Sequence, residues 1–423
     1  MRESTAATGY TAVSEAAAIL SRMGSSTMST MPRLLPDPDP DRLLGCLLGG
    51  AIGDALGAPI EGIPIAQIRE KYGPDGLTEY SPERVGVGAI TDDTQMMAFT
   101  AQALIQASVR QRAKGIGGAA IGMLQESYLV WLRGQGENIP EQGLGGGYGW
   151  LGQDNVMMSR RGPGKTCLSA LHKAAERQKP GWPLGTVDEP INDSKGCGGV
   201  MRAAPCGFGV ISVEVAFDMG CRAAALTHGH PSGYLSAGVL AATVWSLVRG
   251  AQLDSALELA RAELMERQGH EETSKALDAA ITLARQGSPR PEQLERLGSG
   301  WTGEEALAMG VYAALSAELS MVNDPPNPYS SRRGPAEIGR RGLRLAVNHS
   351  GDSDSTGAIC GNLLGARYGS TVFPGHWQAN LEVRRTIIQL AADCALEFGP
   401  DSPTEPDGYG APSFQWLQRS PKA

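Results

Sequence analysis

The stretch Gly88-Ala89-Ile90-Thr91-Asp92-Asp93-Thr94-Gln95 sets two adjacent carboxylates between hydroxyls, and a second acidic cluster follows far downstream in "GDSDST", where Asp352, Asp354, Ser355 and Thr356 precede an apolar run. One Asp or Thr at a helix start is an ordinary cap, because its oxygen accepts from unpaired backbone N–H groups and negative charge suits that end of the dipole. A second carboxylate is surplus to capping. Neither cluster has a neighbouring Lys or Arg, so four carboxylates that converge need cations. Oxygen donors of this hard type select Mg²⁺, Mn²⁺ or Ca²⁺ over zinc. Two ions about 3.5–4 Å apart would neutralise the charge, activate a water and orient an anionic or polyhydroxylated substrate. Two tempting motifs fail. The D-x-D-x-T-G spacing from Asp352 resembles a calcium loop but has Leu363 at the twelfth position, where a bidentate Glu is needed. "GPGKT" ends like a Walker loop, yet Ser159 occupies the required first glycine and no strand precedes it.

The elements that must position these groups are helical. Leu43, Leu44, Leu47, Leu48, Ile52 and Leu56 recur at helical spacing, with Asp41 placed as a cap and Gly57 and Pro59 as stops. Met96, Met97, Phe99, Ala103, Leu104 and Ile105 continue a second helix from Thr94. Further periodic segments occupy 118–133, 166–177, 213–226, 233–249, 252–268, 271–286, 303–320, 333–347, 355–367 and 380–397. Strand alternation with hairpin turns is nearly absent, so the spacing predicts an all-α domain of about ten helices. Residues 1–40, rich in Ser, Thr, Met and Pro, read as an appended flexible segment; 41–397 form the globular domain; the Pro-rich tail 398–423 is expected to be loosely ordered. Glycines inside "DALGAP" and "GAICGNLLGARYG" each cost a helix about 1 kcal/mol relative to Ala. Close helix approach would offset that cost.

The 423 residues carry a net charge of -8, which argues against a general nucleic-acid binder. With 56 Gly and only 5% aromatic residues, the core must rest on small and aliphatic side chains. The seven cysteines are scattered, odd in number and without a C-x-x-C pair, so neither a zinc site nor a disulfide framework is suggested, which fits a reducing cytoplasm. No run of 18 apolar residues occurs, and the N-terminus lacks the basic-then-apolar order of a secretory signal, so a soluble protein without membrane contact is expected.

The ordered motifs "GCLLGGAIGDALGAPIEG" (45–62), "TDDTQM" (91–96), "GYG" (147–149), "GPGKT" (162–166), "GCGGVMRAAPCG" (196–207), "LTHGHP" (226–231), "GDSDSTGAICG" (351–361) and "FPGHW" (373–377) resemble the ADP-ribosylglycohydrolases across about residues 41–397. The resemblance implies a single orthogonal multi-helix globule, monomeric, with a dinuclear Mg²⁺ or Mn²⁺ site in a central cleft. Carried over residue by residue, it implies that Thr91, Asp92, Asp93, Asp352, Asp354 and Ser355 ligate the metals, the last a Ser where the family usually has Thr. Asp92 and Asp93 would also serve the proton transfer, and Glu61 would gate the metals or orient water. Ser194, Lys195, Gly196, Cys197, Gly198 and Gly199 would cradle a diphosphate through backbone N–H groups. His228 would line the pocket, and Gly147, Tyr148 and Gly149 would border ribose and adenine. The implied reaction is hydrolytic release of ADP-ribose from a modified protein side chain, arginine first. Serine, nucleic acid or a small molecule are alternative acceptors, and a non-catalytic ADP-ribose-binding or toxin-immunity role is the other class. An ADP-ribosyltransferase is the partner such an activity would oppose.

Overall fold

The computed structural model describes residues 36–83, 86–115, 117–139, 149–177, 182–323, 336–405 and 410–420. Within them the chain forms sixteen α-helices: Pro40–Gly57 (α1), Ile65–Tyr72 (α2), Asp92–Lys114 (α3), Ala120–Gly134 (α4), Lys165–Ala175 (α5), Val213–Ala225 (α6), Pro231–Val248 (α7) and Leu253–Met265 (α8), then Glu271–Arg285 (α9), Pro291–Leu294 (α10), Gly303–Asn323 (α11), Ala336–Val347 (α12), Ser353–Tyr368 (α13), Gly375–Asn380 (α14), Arg384–Phe398 (α15) and Phe414–Arg419 (α16). No strand occurs among the described residues, which hold only the isolated bridges Gly196–Thr302 and Thr404–Pro412. The fold class is therefore all-α, as the periodicity predicts. Twelve of the sixteen coincide with the periodic segments, and the other four, α2, α10, α14 and α16, are too short to display a periodic apolar face, so the count exceeds the expected ten or so.

Helix α1 begins one cap earlier than its sequence suggests. The Asp39 carboxylate accepts from the N–H groups of Asp41 (2.9 Å) and Arg42 (3.0 Å), and Pro40 takes the first helical position, where its missing N–H costs nothing. Asp41 instead receives the Ser370 hydroxyl at 2.6 Å. From Gly45 to Gly57 every residue of α1 is buried.

Helix α13 is the principal partner of α1. Gly45, Gly49 and Gly53 face Gly365, Gly361 and Gly357, so the pairing runs antiparallel in steps of four residues. A Cβ on Gly45 would stand 2.5 Å from the Gly365 carbonyl oxygen, and one on Gly361 would overlap the Gly49 carbonyl. The two backbones touch, and only glycine permits it. Asn362 donates from its side-chain amide to the Cys46 carbonyl (2.8 Å) and fixes the register. Dispersion along this seam is what the helical glycines gain in return for their propensity cost.

Helices α1 and α7 are long and apolar enough to cross a membrane, yet 94% of each apolar window is buried inside the protein. Their composition is that of core helices. The tail corrects its sequence reading: residues 414–419 form α16, capped by Ser413, with Trp416 buried. Proline content suggests disorder, but Trp416 Nε1 donates to the buried Glu397 carboxylate (2.7 Å), which also receives Arg112 (2.6 Å). Arg419 likewise pairs with the buried Asp393 (2.8 Å). Trp416→Ala is expected to cost about 3 kcal/mol through lost burial and the weakened Glu397 network, read as a lower urea midpoint with unchanged helical circular dichroism of the folded state. Residues 1–35 of the appended segment, where "AVSEAAAILSRM" reads as one short helix, lie outside the described residues.

Candidate metal centre

The glycine seam brings the N-terminus of α13 to that of α3. Thr91, Asp92, Asp93, Asp352, Asp354 and Ser355 are all buried, none more than 7% exposed. The Ser355 hydroxyl crosses between the helices to donate to Asp93 Oδ1 at 2.8 Å, joining residues far apart in sequence. Each cluster also caps its own helix: Thr91 Oγ1 accepts the Asp93 N–H (3.3 Å), and Asp352 Oδ1 accepts the Ser355 N–H (3.3 Å). Capping uses one oxygen per helix, and the Ser355–Asp93 bond joins the two acidic starts.

Asp54, from the last turn of α1, supports this arrangement. It is fully buried, and its carboxylate accepts from the backbone N–H groups of Thr91 (3.0 Å) and Thr94 (3.1 Å) and from the Thr94 hydroxyl (2.5 Å). An ionised acid thereby holds the start of α3, and α1 sets the depth of both acidic helix ends. On the other side, His349 Nδ1 accepts the Gly351 N–H (3.1 Å) while Nε2 meets the Thr356 hydroxyl (2.8 Å), which fixes the turn before α13.

Burial pushes every one of these carboxyls up, and repulsion from neighbouring acids adds to it at Asp92, Asp93 and Asp354. Desolvation raises Asp54 to about 6 and Asp92 to about 8, where the charges of Asp54 and Asp352 add to it and the Gly164 N–H opposes. Asp93 and Asp354 are held well above the usual carboxylate range, again by burial first and then by neighbouring acids. No Lys or Arg among the described residues forms an ion pair with them. The donors that reach them are hydroxyls, amides and the Cys197 thiol, which donates to Asp352 Oδ2 at 2.8 Å. Among the described residues no three acidic, His or Cys side chains stand at the spacing of a ready-made metal shell. The chemistry of the set nonetheless fits a hard divalent cation: oxygen donors, buried, mutually repelling and without a protein cation.

Two loops close on the acids. The Gly164 N–H donates to Asp92 Oδ2 (3.3 Å), and the Asp92 N–H donates to the Arg161 carbonyl (2.9 Å), so the "RRGPG" loop is tied to Asp92 at both ends. Thr166 Oγ1 then meets Ser194 Oγ (3.3 Å) at the start of the Gly-rich loop. In that loop the N–H groups of Ser194, Gly196 and Cys197 are already donated to Asn192 Oδ1, Ser194 Oγ and the Trp301 carbonyl. The expected cradle is thus narrower than six residues: of these N–H groups, those of Lys195, Gly198 and Gly199 donate to no acceptor outside their own turn among the described residues. Lys195 pairs with the exposed Glu272 at 2.6 Å, away from the acids. Surface cavities of 660 and 920 Å³ lie elsewhere and include none of the acidic ligand candidates.

The chain matches the ADP-ribosylglycohydrolase family over residues 35–403. It belongs to that family. It is 24% identical over 367 residues to the ADP-ribosyl-(dinitrogen reductase) glycohydrolase of Rhodospirillum rubrum, covering 84% of this chain and 98% of that protein. It is 24% identical over 371 residues to the ADP-ribosylarginine hydrolase Tri1 of Serratia proteamaculans, covering 86% of this chain and 82% of that protein. A solved ADP-ribosylglycohydrolase-related protein complex matches with a TM-score of 0.54 at 26% identity, over 84% of this chain and 97% of that one.

Against this family assignment the other predicted site residues can be placed. Glu61 ends the short 3₁₀ turn after α1, near enough to Asp354 for its charge to raise that carboxyl, and the neighbouring Gly62 N–H donates to the Gly351 carbonyl (2.8 Å). His228 is buried, with its ring filling the space that a Cβ on Gly196 or Gly198 would need. Gly149 has a positive φ of 62° beside Gln102, whose Oε1 accepts the Leu151 N–H (3.1 Å); Gly147 and Tyr148 lie outside the described residues. Asp54, Gly164, Cys197 as a thiol donor and His349 are functional-site contacts that spacing alone does not assign. For Asp54 a signal exists, since an acid in the buried stripe of an apolar helix needs several donors.

Proposed function

We propose that this ADP-ribosylglycohydrolase is a divalent-cation-dependent hydrolase that removes ADP-ribose from modified protein side chains, with arginine as the acceptor. The observation that carries the reading is the pair of acid-rich helix starts locked face to face with no protein cation between them. Arginine is favoured by the similarity to the ADP-ribosylarginine hydrolase of Serratia, and an opposing ADP-ribosyltransferase would supply the substrate. The seven cysteines are all free thiols, which supports a reducing cytoplasmic setting.

Bound to the acids, two Mg²⁺ or Mn²⁺ ions would act as Lewis acids on the ribose and lower the pKa of a water. Thr91, Asp92, Asp93, Asp352, Asp354 and Ser355 would hold them. The chain's own contribution to the reaction is positional and acid–base. Asp92 or Asp93 takes the proton of the attacking water as the bond from the anomeric carbon to the guanidino nitrogen breaks and the bond to the water oxygen forms. Asp54 keeps both carboxylates at the helix start through the Thr91 and Thr94 N–H groups. Glu61 orients water from the rim. The Gly198 and Gly199 N–H groups bind the diphosphate, and this binding fixes the anomeric carbon over the acids.

The test is release of ADP-ribose from ADP-ribosylated arginine, serine and nucleic acid, with Mg²⁺, Mn²⁺ or chelator, by the natural chain and by Asp92→Ala and Asp354→Ala. Release from the arginine substrate is expected, lost on chelation and reduced about 10²- to 10⁴-fold by either substitution. Release from no substrate sinks the hydrolase reading, and release unaffected by both substitutions sinks the site.

A further inference from the structure

Arg202 is fully buried and forms no ion pair with any acid among the described residues. Its guanidinium lies over the Tyr128 ring at 4.3 Å, and Nη1 touches the sulfurs of Met96 (3.5 Å) and Cys167 (3.6 Å). Nη2 donates to the Ala223 carbonyl (3.2 Å) and to Thr227 Oγ1 (2.6 Å). A buried cation without a counter-charge is costly to retain, and its shortest contact is with a hydroxyl that leads toward the Gly-rich loop.

Thr227 Oγ1 has one proton to give. It lies 2.8 Å from His228 Nδ1 and 3.4 Å from the Ala224 carbonyl. That carbonyl already accepts the N–H groups of Thr227 (3.0 Å) and His228 (2.9 Å), so both of its lone pairs are engaged. The hydroxyl, having accepted from Arg202, therefore donates to Nδ1, and the ring proton resides on Nε2. Burial and the Arg202 charge keep the ring neutral. Nε2 lies against Gly196 and Gly198, at 3.1 and 3.2 Å from where their Cβ atoms would be, and receives no acceptor from the described residues.

We infer that Arg202 and Thr227 are positioning residues that hold His228 as the Nε2–H tautomer, making its ring a fixed donor beneath the Gly196–Gly199 turn for an anionic phosphate oxygen. This rests on the proposed diphosphate site at that turn. A neutral His locked in this way adds a donor whose availability does not vary with pH near neutrality. The alternative tautomer would turn a lone pair toward the anion and repel it.

The experiment uses the full chain labelled with ¹⁵N-histidine, in which ring nitrogen shifts report which nitrogen bears the proton; His228→Gln identifies the signal. The expected result is a protonated Nε2 and a bare Nδ1 without ligand, with the Nε2 resonance moving on addition of inorganic pyrophosphate or ADP-ribose. Thr227→Val should mix the tautomers and weaken ADP-ribose binding about 10- to 100-fold while changing kcat little. Thr227→Ser should restore both. A proton on Nδ1 in the natural chain, an Nε2 resonance unmoved by pyrophosphate, or Thr227→Val with unaltered tautomer overturns the inference. The tautomer and pyrophosphate readings need no turnover, so loss of hydrolase activity in the natural chain would fall on the proposed function alone.

Discussion

Replacing Gly361 with valine is expected to destabilise the fold by about 3 kcal/mol or more, the upper range for an overpacked core. The added atoms would meet the Gly49 carbonyl, its carbon and the Gly50 nitrogen, all backbone. No rotamer can relieve that overlap, so α1 and α13 must separate along the whole seam. Out of a total stability of about 5–15 kcal/mol for a typical domain, the loss is large. The functional effect should exceed the stability effect, because α13 carries Asp354 and Ser355 while α1 carries Asp54. Even the fraction that folds would hold the two acidic helix starts apart and break the Ser355-to-Asp93 bond. Gly375→Ala is the control: nothing lies within 4 Å of its added Cβ, and a change within about 0.5 kcal/mol is expected. Urea unfolding of both variants decides it, and a Gly361→Val midpoint equal to that of the control would show that the helices do not touch there.

The glycine seam also marks how far sequence reasoning reaches. Glycines at 45, 49 and 53 and at 357, 361 and 365 sit in helices that otherwise bury Leu, Ile, Ala and Cys, so a close approach is legible from spacing and the propensity cost. The clusters around Asp92 and Asp354 are legible for the same reason: each exceeds what a cap needs. What spacing cannot supply is the third body. Asp54 holds the start of α3 only because α1 crosses there, and nothing within "GAIGDALGAP" says which N–H groups it will meet. The Gly-rich loop shows a related limit. Its sequence offers a run of backbone donors, but Ser194 Oγ, Asn192 Oδ1 and the Trp301 carbonyl consume three of them, and those partners come partly from the far side of α9 in the chain. In the tail, proline content points to loose order, whereas Glu397 and Asp393 on α15 give that segment buried partners.

Stripped of divalent cations by a chelator, the protein is expected to lose thermal stability as pH rises from about 4 to about 8. In the unfolded chain the carboxyls of Asp54 and Asp92 ionise near their ordinary 3.8, whereas in the fold they keep their protons to about 6 and about 8. Between those limits the native state binds more protons than the unfolded state, so the slope of stability against pH is negative. Stability from these two groups is complete below the unfolded value and gone above the folded ones. Asp93 and Asp354, also raised by burial and like charge, act in the same direction. A divalent cation reverses the sign, because it binds the ionised acids and competes with their protons. At a cation concentration 100 times its dissociation constant the gain is about 2.7 kcal/mol, and it should grow with pH over the window in which the chelated protein weakens. The gap in melting temperature between chelated and Mg²⁺- or Mn²⁺-loaded protein is therefore smallest near pH 5 and widest near pH 8. Asp92→Asn removes one of the raised carboxyls, so it should flatten the chelated slope and shrink the gap together. Equal melting temperatures with and without chelator at pH 8, or a chelated protein that gains stability as pH rises, would separate the acidic cluster from any cation.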